Sequence, residues 1–353
     1  MNFFKKKIVL SFISQLVHPT KNVEILSIYE SEFFWNQVLK VGSNQLILPA
    51  IFEGIYRKKI QNFVPRDLII YLEKITKLNQ ERNILIKNQV FFLAKIFKNN
   101  NINYVFLKGA AMLINPPYNA LKERMIGDID VLVDNNDLNK ARKLLIESGF
   151  KIQKKNIKFT EKIFTEKHLQ RMIHPKYIAA VELHRSLINQ IYGTKLHVNE
   201  ILKSKQIQNI DICIPSRFHM WQHAILNWQY NDKGMLYNIS SFRTIIDVIY
   251  LEPEDLFTKI HSYDKSIKNF YSLLSVYYHE YPVFNTFKKV LFQLQTNSKI
   301  FGKLFWLYVK ICQFISIFIS RLKLILFYKP YRNIFFSNFK LISVKFLDFW
   351  KKN

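Results

Sequence analysis

The stretch RMIGDIDVLVD, residues 124–134, places two aspartates one residue apart in the most strand-like run of the chain. Side chains two residues apart in a β-strand point to the same side of a sheet, so Asp128 and Asp130 are predicted to project together. Two carboxylates held that close repel each other unless a cation lies between them. Oxygen ligands of this kind suit Mg²⁺ or Mn²⁺ better than zinc, so the stretch predicts a divalent-metal site. Two solvated acids at a strand end are the alternative.

A third carboxylate would complete such a site, either by fixing the metal nearest the attacking hydroxyl or by taking the proton of that hydroxyl. Glu182, in AAVELH, is the candidate, because it is a lone acid in an otherwise apolar strand that could lie beside the first. Its neighbours Val181 and Leu183 are predicted to face the core.

A candidate phosphate-binding turn precedes the aspartates. The run NYVFLKGAAML reads as a strand that ends in Lys108 and Gly109 and is followed by a short helix beginning near Ala110. A glycine at that turn would let a phosphate approach the backbone, and the N–H groups of the helix start would bind it. Lys108 adds a compact positive charge. The sequence contains no Walker loop, GxGxxG motif or serine nucleophile elbow.

The histidines His168, His174 and His184 match no standard helical or hairpin ligand spacing. We therefore interpret them as isolated surface or core residues rather than as a metal cluster. His184 shares a strand face with Glu182, which predicts a supporting hydrogen bond.

Taken together, these motifs resemble those of the uncharacterised nucleotidyltransferases of the polymerase-β-like superfamily. The pattern of that family is Leu-Lys-Gly, then Arg and Gly before Asp-x-Asp, then a Glu-x-His strand. The resemblance covers about residues 80–250. The matching residues are Leu107, Lys108, Gly109, Arg124, Gly127, Asp128, Ile129, Asp130, Glu182, Leu183 and His184.

The resemblance implies an α+β fold in which a small mixed sheet bears the carboxylates, helices flank it and a helical lobe closes over the base. It also implies transfer of a nucleoside monophosphate from an NTP to an acceptor hydroxyl, with release of pyrophosphate and with two Mg²⁺ (or Mn²⁺) ions as cofactor. By the same likeness, Asp128, Asp130 and Glu182 are the catalytic and metal-binding residues. The residues implied to bind the nucleotide are Lys108, Gly109, Ala110, Arg124, Gly127, His223, Arg243 and Asp247.

One of these residues, Ala110, differs from the pattern of the wider superfamily, and two others, Arg243 and Asp247, can be explained without a role in nucleotide binding. The wider superfamily usually has Gly-Ser at the phosphate turn, whereas Gly109 is followed here by Ala110, which lacks the hydroxyl that normally touches the triphosphate. Lys108 and Arg124 are expected to compensate. Arg243 and Asp247 lie four residues apart on a predicted helix and would ordinarily form just an ion pair.

Hydrophobic periodicity divides the chain into four parts. These are an N-terminal helical lobe over 1–100, a nucleotidyltransferase core over 101–215, a second helical lobe over 216–295 and a basic, aromatic helical tail over 296–353. Within the core, strand, helix, strand, helix and strand are predicted to follow one another over about residues 103–160. The helix after the aspartates is predicted to begin at Asn136 or Asp137 and to end at Gly149.

The chain carries 52 Lys and Arg against 26 Asp and Glu, a formal charge of +26, which attracts phosphates or anionic lipid. An AT-rich genome would also produce this Lys, Asn, Ile and Phe content without selection for binding. Residues 281–353 alone hold 13 basic residues and 1 acidic residue, so the charge is concentrated in the tail. Cys213 and Cys312 show no ligand or disulfide spacing, which favours a reducing compartment and a cytoplasmic protein.

The two ends of the sequence each raise a question about membranes. The N-terminus imitates a secretory signal, but polar residues interrupt its apolar run and no small-x-small site follows, so we interpret it as a first helix. In the tail, residues 304–320 are apolar but slightly short for a membrane span. A buried core helix, an interfacial helix on anionic lipid and, least favoured, a transmembrane helix are the three interpretations. The second would place the protein on the inner face of the membrane.

Two classes of function follow. The first is a Mg²⁺-dependent nucleotidyltransferase whose acceptor is a small molecule such as an aminoglycoside, a sugar or lipid intermediate, a protein side chain or a tRNA end. The second is a non-catalytic protein, either a degenerate nucleotide binder or a membrane-surface adaptor. The Asp-x-Asp strand, the Lys-Gly turn and Glu182 favour the first, while Ala110 favours the second.

Overall fold

The computed structural model describes residues 3–24, 31–153, 167–188, 196–208, 211–237 and 241–327, together with 332–333 and 336. As far as they are described, residues up to 299 form one compact unit, and those from Ile300 onwards form another. The later part of the predicted third strand, 154–159, and most of the tail beyond 327 lie outside the described residues.

The described part of the first hundred residues is mainly helical, and the last of its helices is the longest element that the structure describes. The helices are α1 (Phe3–Val17), α2 (Glu32–Asn44), α3 (Leu48–Arg57) and α4 (Arg66–Asn99). In α4, buried positions recur every three or four residues from Leu68 to Phe97, as the periodicity predicted. The outward side of α4 mixes charged and polar residues with exposed apolar ones such as Ile70, Leu78 and Leu85.

A mixed sheet follows, and the fold is α+β as predicted. Its strands are β1 (Tyr104–Phe106), β2 (Asp128–Val133), β3 (Lys151–Ile152), β4 (Met172–Ile173) and β5 (Ala180–His184), in the order β1-β2-β5-β4-β3. The central pair, β2 and β5, is parallel, and its register places Asp130 beside Glu182. The neighbouring pairs are antiparallel. The strand that bears the aspartates therefore lies between two others.

Short helices connect these strands in the predicted order. They are α5 (Lys108–Ile114), α6 (Ala120–Glu123) and α7 (Leu138–Glu147). Helix α5 begins at Lys108, two residues earlier than predicted, and Lys108 itself has a positive φ of 48°. Helix α7 has Asp137 as its N-cap residue, and Gly149, with φ of +95°, follows its end as predicted.

The remaining elements of the larger unit are a hairpin and a second set of helices. The hairpin was not predicted: β6 (Gln206–Gln208) pairs with β7 (Ile212–Ile214) as a separate two-stranded sheet. The helices are α8 (Val198–Lys203), α9 (Arg217–Leu226), a π-helical turn (Asn227–Asn231), α10 (Gly234–Tyr237), α11 (Phe242–Leu251), α12 (Leu256–Lys259), α13 (Lys265–Leu274) and α14 (Thr286–Asn297).

The second unit contains one long helix, α15 (Lys299–Phe327). An apolar row of exposed side chains runs along it at spacings of three and four residues. The row consists of Ile300, Leu304, Leu307, Ile311, Ile315, Phe318, Leu322 and Leu326. No helix within the described ranges has both the length and the apolarity needed to cross a membrane.

Helix α4 holds the parts of the site together through amide side chains on its buried face. The Asn83 side chain donates to the carbonyls of Leu121 and Arg124, and Asn79 donates to Lys122 and Arg124. Lower along the helix, Gln89 donates to the carbonyl of Ala179 at 2.8 Å and accepts from its N–H at 3.1 Å. One helix thereby fixes both the loop before β2 and the start of β5.

Replacing Gln89 with Leu should lower the free energy of unfolding by about 2–4 kcal/mol, because the buried N–H and carbonyl of Ala179 would both lose their partner. Gln89 is fully buried, whereas its neighbour Asn88 is exposed on the same helix. Asn88→Leu is the matched control and should change the stability by less than about 0.5 kcal/mol. Urea unfolding measures both values, and equal stabilities would contradict the anchoring role of Gln89.

Candidate active site

Strand β2 presents its two aspartates in unequal surroundings. Ile129, Val131 and the rest of the strand are buried, which fixes the alternating direction of the side chains. The Asp128 side chain is 35% exposed, whereas that of Asp130 is only 6% exposed. The outer carboxylate is open to solvent and the inner one is part of the protein interior.

Asp130 is held as a permanent anion. Its Oδ1 accepts hydrogen bonds from Lys108 Nζ at 2.9 Å and from His184 Nε2 at 2.7 Å. Burial alone would raise the pKa of Asp130, but the Lys108 ammonium and the His184 hydrogen bond outweigh it and keep the pKa well below its usual value. A carboxylate in this state can bind a cation throughout the physiological pH range.

Glu182 lies on β5 directly beside Asp130, as the sequence suggested, and Val181 and Leu183 on either side of it are buried. Its Oε2 is 3.6 Å from His168 Nε2 and 3.8 Å from His184 Nε2. Burial raises the pKa of Glu182, the nearby His168 lowers it, and the negative charges of Asp128 and Asp130 raise it further. The raised pKa of Glu182 is thus due first to burial and only then to the two neighbouring carboxylates.

The interpretation of the histidines as isolated is corrected for His168 and His184. A β-bridge joins the two residues, and their rings lie 5.0 Å apart, so both reach the carboxylates although they are far apart in sequence. The hydrogen bond predicted between His184 and Glu182 is not formed, since His184 Nε2 lies 3.8 Å from Glu182 Oε2; His184 bonds Asp130 instead. Burial lowers the pKa of His184 to about 4, so its imidazole is neutral at pH 7. To bind a metal through Nε2, the ring would have to carry its proton on Nδ1 and give up the hydrogen bond to Asp130.

Ligand atoms of Asp130, Glu182 and His184 all lie within 4.8 Å of one another. Two carboxylates and a neutral imidazole fit a divalent cation such as Mg²⁺ or Mn²⁺, with the imidazole suiting Mn²⁺ better. Asp128 lies two residues before Asp130 on the same face of β2, and its side chain is more exposed to solvent. Of the predicted trio, Asp130 and Glu182 thus lie in one group of possible ligands together with His184, while Asp128 is outside that group.

A cleft in front of the aspartates, with about 920 Å³ of empty space, is lined by most of the residues predicted to bind the nucleotide. These are Lys108, Gly109, Arg124, Gly127, His223, Arg243 and Asp247. Ala110 is not among them, because its side chain is 1% exposed and packs into the core. Glu182 does not line the cleft either, although Asp128 and Asp130 do.

The turn at Lys108 and Gly109 has a packing reason for its glycine. A Cβ on Gly109 would come within 2.8 Å of Ile126 Cγ1, so the close approach of α5 to the loop before β2 requires the absent side chain. Lys108 adopts a left-handed backbone conformation, which is uncommon for a residue with a side chain. This conformation accompanies the direct bond from Lys108 to Asp130.

Arg124 and Asp247 form the buried ion pair of the cleft wall, with Arg124 Nη2 2.8 Å from Asp247 Oδ2. In the part of the chain that the structure describes, Asp247 does not form the expected ion pair with Arg243. It bonds Arg124 and the Tyr118 hydroxyl instead. Burial raises the pKa of Asp247 in spite of the neighbouring arginine. Two donors of Arg124, Nε and Nη1, are buried without a hydrogen-bond partner among the described residues.

His223 contributes a neutral imidazole to the opposite wall. It is 5% exposed, its Nε2 has no partner within the described part of the chain, and burial holds its pKa well below the usual value. The helix α9 that carries His223 continues as the π-helical turn, a rare conformation that often occurs at functional sites.

Sequence reasoning missed four polar residues that also line the cleft: Lys167, Asn227, Asp232 and Thr244. Asn227 Nδ2 donates to Asp232 Oδ2 at 3.2 Å, which holds that carboxylate at the end of the π-helical turn. Burial raises the pKa of Asp232 and lowers that of Lys167. No local pattern marks these residues, because their place depends on how the elements that carry them pack together.

Carboxylates on adjacent parallel strands, a Lys-Gly turn and a polar cleft in front of them define a nucleotidyltransferase. The sequence model of a family described as "Uncharacterised nucleotidyltransferase" matches residues 31–227, more than half of the chain. The chain belongs to that family, and its class of activity is nucleotidyl transfer. A comparison with curated proteins gives no significant match.

Replacing Asp247 with Asn should destabilise the protein by about 3 kcal/mol, because the Arg124 guanidinium would remain buried without its counter-ion. Asp255→Asn is the control, since it breaks the solvent-exposed pair with Lys259 and should leave stability unchanged. Thermal and urea unfolding give the two values. A loss of the same size in both variants would show that the cleft pair has no special role.

Proposed function

We propose that this protein transfers a nucleoside monophosphate from an NTP to an acceptor hydroxyl, with release of pyrophosphate and with Mg²⁺ or Mn²⁺ as cofactor. The observation that carries the proposal is the pairing of Asp130 with Glu182 across two parallel strands, at an edge of the sheet that faces a polar cleft. Family membership supports the general reaction.

In this proposal Asp128, Asp130 and Glu182 are the catalytic and metal-binding residues, and His184 is a further ligand candidate. A divalent cation bound there would neutralise charge on the phosphates and polarise the phosphorus under attack. Lys108 keeps Asp130 ionised and oriented. Glu182, with its raised pKa, is the carboxylate suited to accept the proton of the acceptor.

The nucleotide is assigned to the cleft wall opposite the sheet. Its cationic and hydrogen-bonding groups are supplied by four separate segments, which are the turn at α5, the loop before β2, helix α9 and helix α11. The residues proposed to contact the nucleotide are Lys108, Gly109, Arg124, Gly127, His223, Arg243 and Asp247. Ala110, which the sequence also suggested, is left out of this set because the whole residue is buried and does not line the cleft.

The acceptor is a small molecule such as an aminoglycoside, a sugar or lipid intermediate, a protein side chain or a tRNA end. The second candidate function is a catalytically degenerate nucleotide binder or a membrane-surface adaptor. Ala110 favours that candidate, because the turn lacks the hydroxyl usual in the superfamily. We also propose that the chain has four domains: an N-terminal helical lobe over 1–100, the nucleotidyltransferase core over 101–215, a second helical lobe over 216–295 and a basic tail over 296–353.

The test of the enzymatic proposal uses Mg²⁺, labelled NTPs and cell extract as the source of acceptors. The double variant Asp128→Asn with Asp130→Asn should lose label transfer and pyrophosphate release by at least about a thousandfold, because the metal loses two anionic ligands. Glu147→Gln with Glu254→Gln removes two exposed acids and should act like the unmodified protein. Equal transfer by the Asp128/Asp130 variant and the unmodified protein would dispose of the proposal.

The tail is proposed to rest on the inner face of the cytoplasmic membrane. The exposed apolar row of α15 gives a face that could enter the interfacial region, and residues 281–353 carry 13 basic residues against 1 acidic residue, which suits anionic lipid. This contact would place the protein in the cytoplasm and favour an acceptor at the membrane.

Ile311→Asp with Leu322→Asp should weaken cosedimentation with phosphatidylglycerol-containing vesicles by about tenfold or more, since charge on the apolar row opposes its insertion. Phe287→Asp with Val290→Asp, on exposed positions of α14, is the matched control and should bind like the unmodified protein. Raising salt to about 0.5 M should weaken all binding by screening. Undiminished binding by the α15 variant would exclude this helix as the anchor.

A further inference from the structure

Arg171 lies across the carboxylates of the metal site. Its Nη2 is 3.4 Å from Asp128 Oδ2, and its Nε is 4.0 Å from Glu182 Oε1. The side chain comes from the residue just before β4, the strand that pairs with β5 through Met172 and Val181. One guanidinium thus faces both acids that Lys108 does not reach.

The backbone of Arg171 is fixed while its side chain is loosely held. The carbonyl of Arg171 accepts from Gln153 N–H at 2.9 Å, which ties the residue to the sheet. Its two ion contacts are long compared with the 2.9 Å contact of Lys108 with Asp130. In addition, Arg171 Nε is buried without a hydrogen-bond partner among the described residues, and such a donor favours any ligand that can satisfy it.

A phosphate group supplies what this guanidinium lacks. Arginine binds phosphate through two parallel N–H···O bonds, and such charge-assisted pairs are stronger than a single long contact with a carboxylate. The side chain is 38% exposed, so it can turn from the sheet edge towards the cleft without disturbing the core.

We propose that Arg171 exchanges partners during binding, from Asp128 and Glu182 in the free protein to the triphosphate in the loaded one. This inference rests on the proposed function and adds a positioning residue to it. With Arg171 on the carboxylates, a divalent cation alone must compete with the guanidinium for the same acids and binds weakly. When the triphosphate takes Arg171 away, the acids are released to the cation.

Cation and nucleotide therefore favour each other's binding, and the coupling must act equally in both directions because both are equilibrium affinities. Without Arg171 the two effects separate. The cation alone should bind more tightly because its competitor is gone, while the nucleotide should bind more weakly because it has lost a phosphate ligand. A merely structural role for Arg171 would not produce changes of opposite sign.

The experiment measures Mn²⁺ binding to the full chain without nucleotide, by electron paramagnetic resonance of the free ion. Arg171→Ala should bind Mn²⁺ about tenfold more tightly than the unmodified protein. With saturating Mg²⁺, the same variant should bind the α,β-methylene analogues of ATP and GTP about tenfold more weakly. Arg171→Lys should give intermediate values in both assays, because an ammonium keeps the charge but not the fork.

Lys176→Ala is the matched control, since it removes an exposed positive charge from the same segment and should change neither affinity. Asp130→Asn should abolish Mn²⁺ binding in both the unmodified and the Arg171→Ala backgrounds, which assigns the ion to this site. Mn²⁺ affinity that is unchanged or weaker in Arg171→Ala overturns the exchange, as does unchanged analogue affinity. Absence of Mn²⁺ binding in every variant would instead overturn the metal-dependent function itself, and the exchange with it.

Discussion

The structure depends on keeping two acidic side chains, Asp130 and Glu182, next to each other inside a sheet. Their strands are parallel and in register, so the carboxylates cannot move apart by a rotation of the backbone. Like charges in a partly buried setting repel strongly. Cationic and imidazole groups at fixed positions offset this repulsion. Lys108 and His184 bond to Asp130, while His168 and Arg171 face Glu182.

Helix α4 provides the rigidity that this arrangement needs. Its side-chain amides bond to the loop that leads into β2 and to the residue that precedes β5. The two strands that carry the carboxylates are therefore anchored to the same helix. Side chains that satisfy backbone groups in this way remove the freedom of a loop at little cost, since each bond replaces one with water. The same loop brings Arg124 to Asp247 on α11, which connects the sheet to the helices behind the cleft.

The sheet and its carboxylates could be predicted from local patterns in the sequence. The alternation around Asp128 and Asp130, the lone acid at Glu182 and the glycine after α7 each follow from side-chain periodicity or from a positive φ, which are properties of a few neighbouring residues. Other features depend on tertiary contacts. Asp232 reaches the cleft through a π-helical turn, His168 meets His184 through a bridge between distant segments, and Asp247 bonds Arg124 rather than the arginine one turn away on its own helix. Such partners are chosen by packing, which spacing along the chain does not encode.

The parallel pairing of β2 with β5 has a consequence for how relatives of this chain can diverge. The connection between the two strands runs from Asp134 to Ala179, and its length does not enter the register of the pair. Insertions and deletions should be tolerated where this connection lies outside β3, β4 and the segment 167–171, which brings side chains to the site. A single residue added within either strand would instead bring Val181 or Leu183 opposite Asp130 and turn the glutamate to the other face of the sheet. Homologues are thus expected to vary in the crossover while the spacing inside Asp-x-Asp and Glu-x-His stays constant.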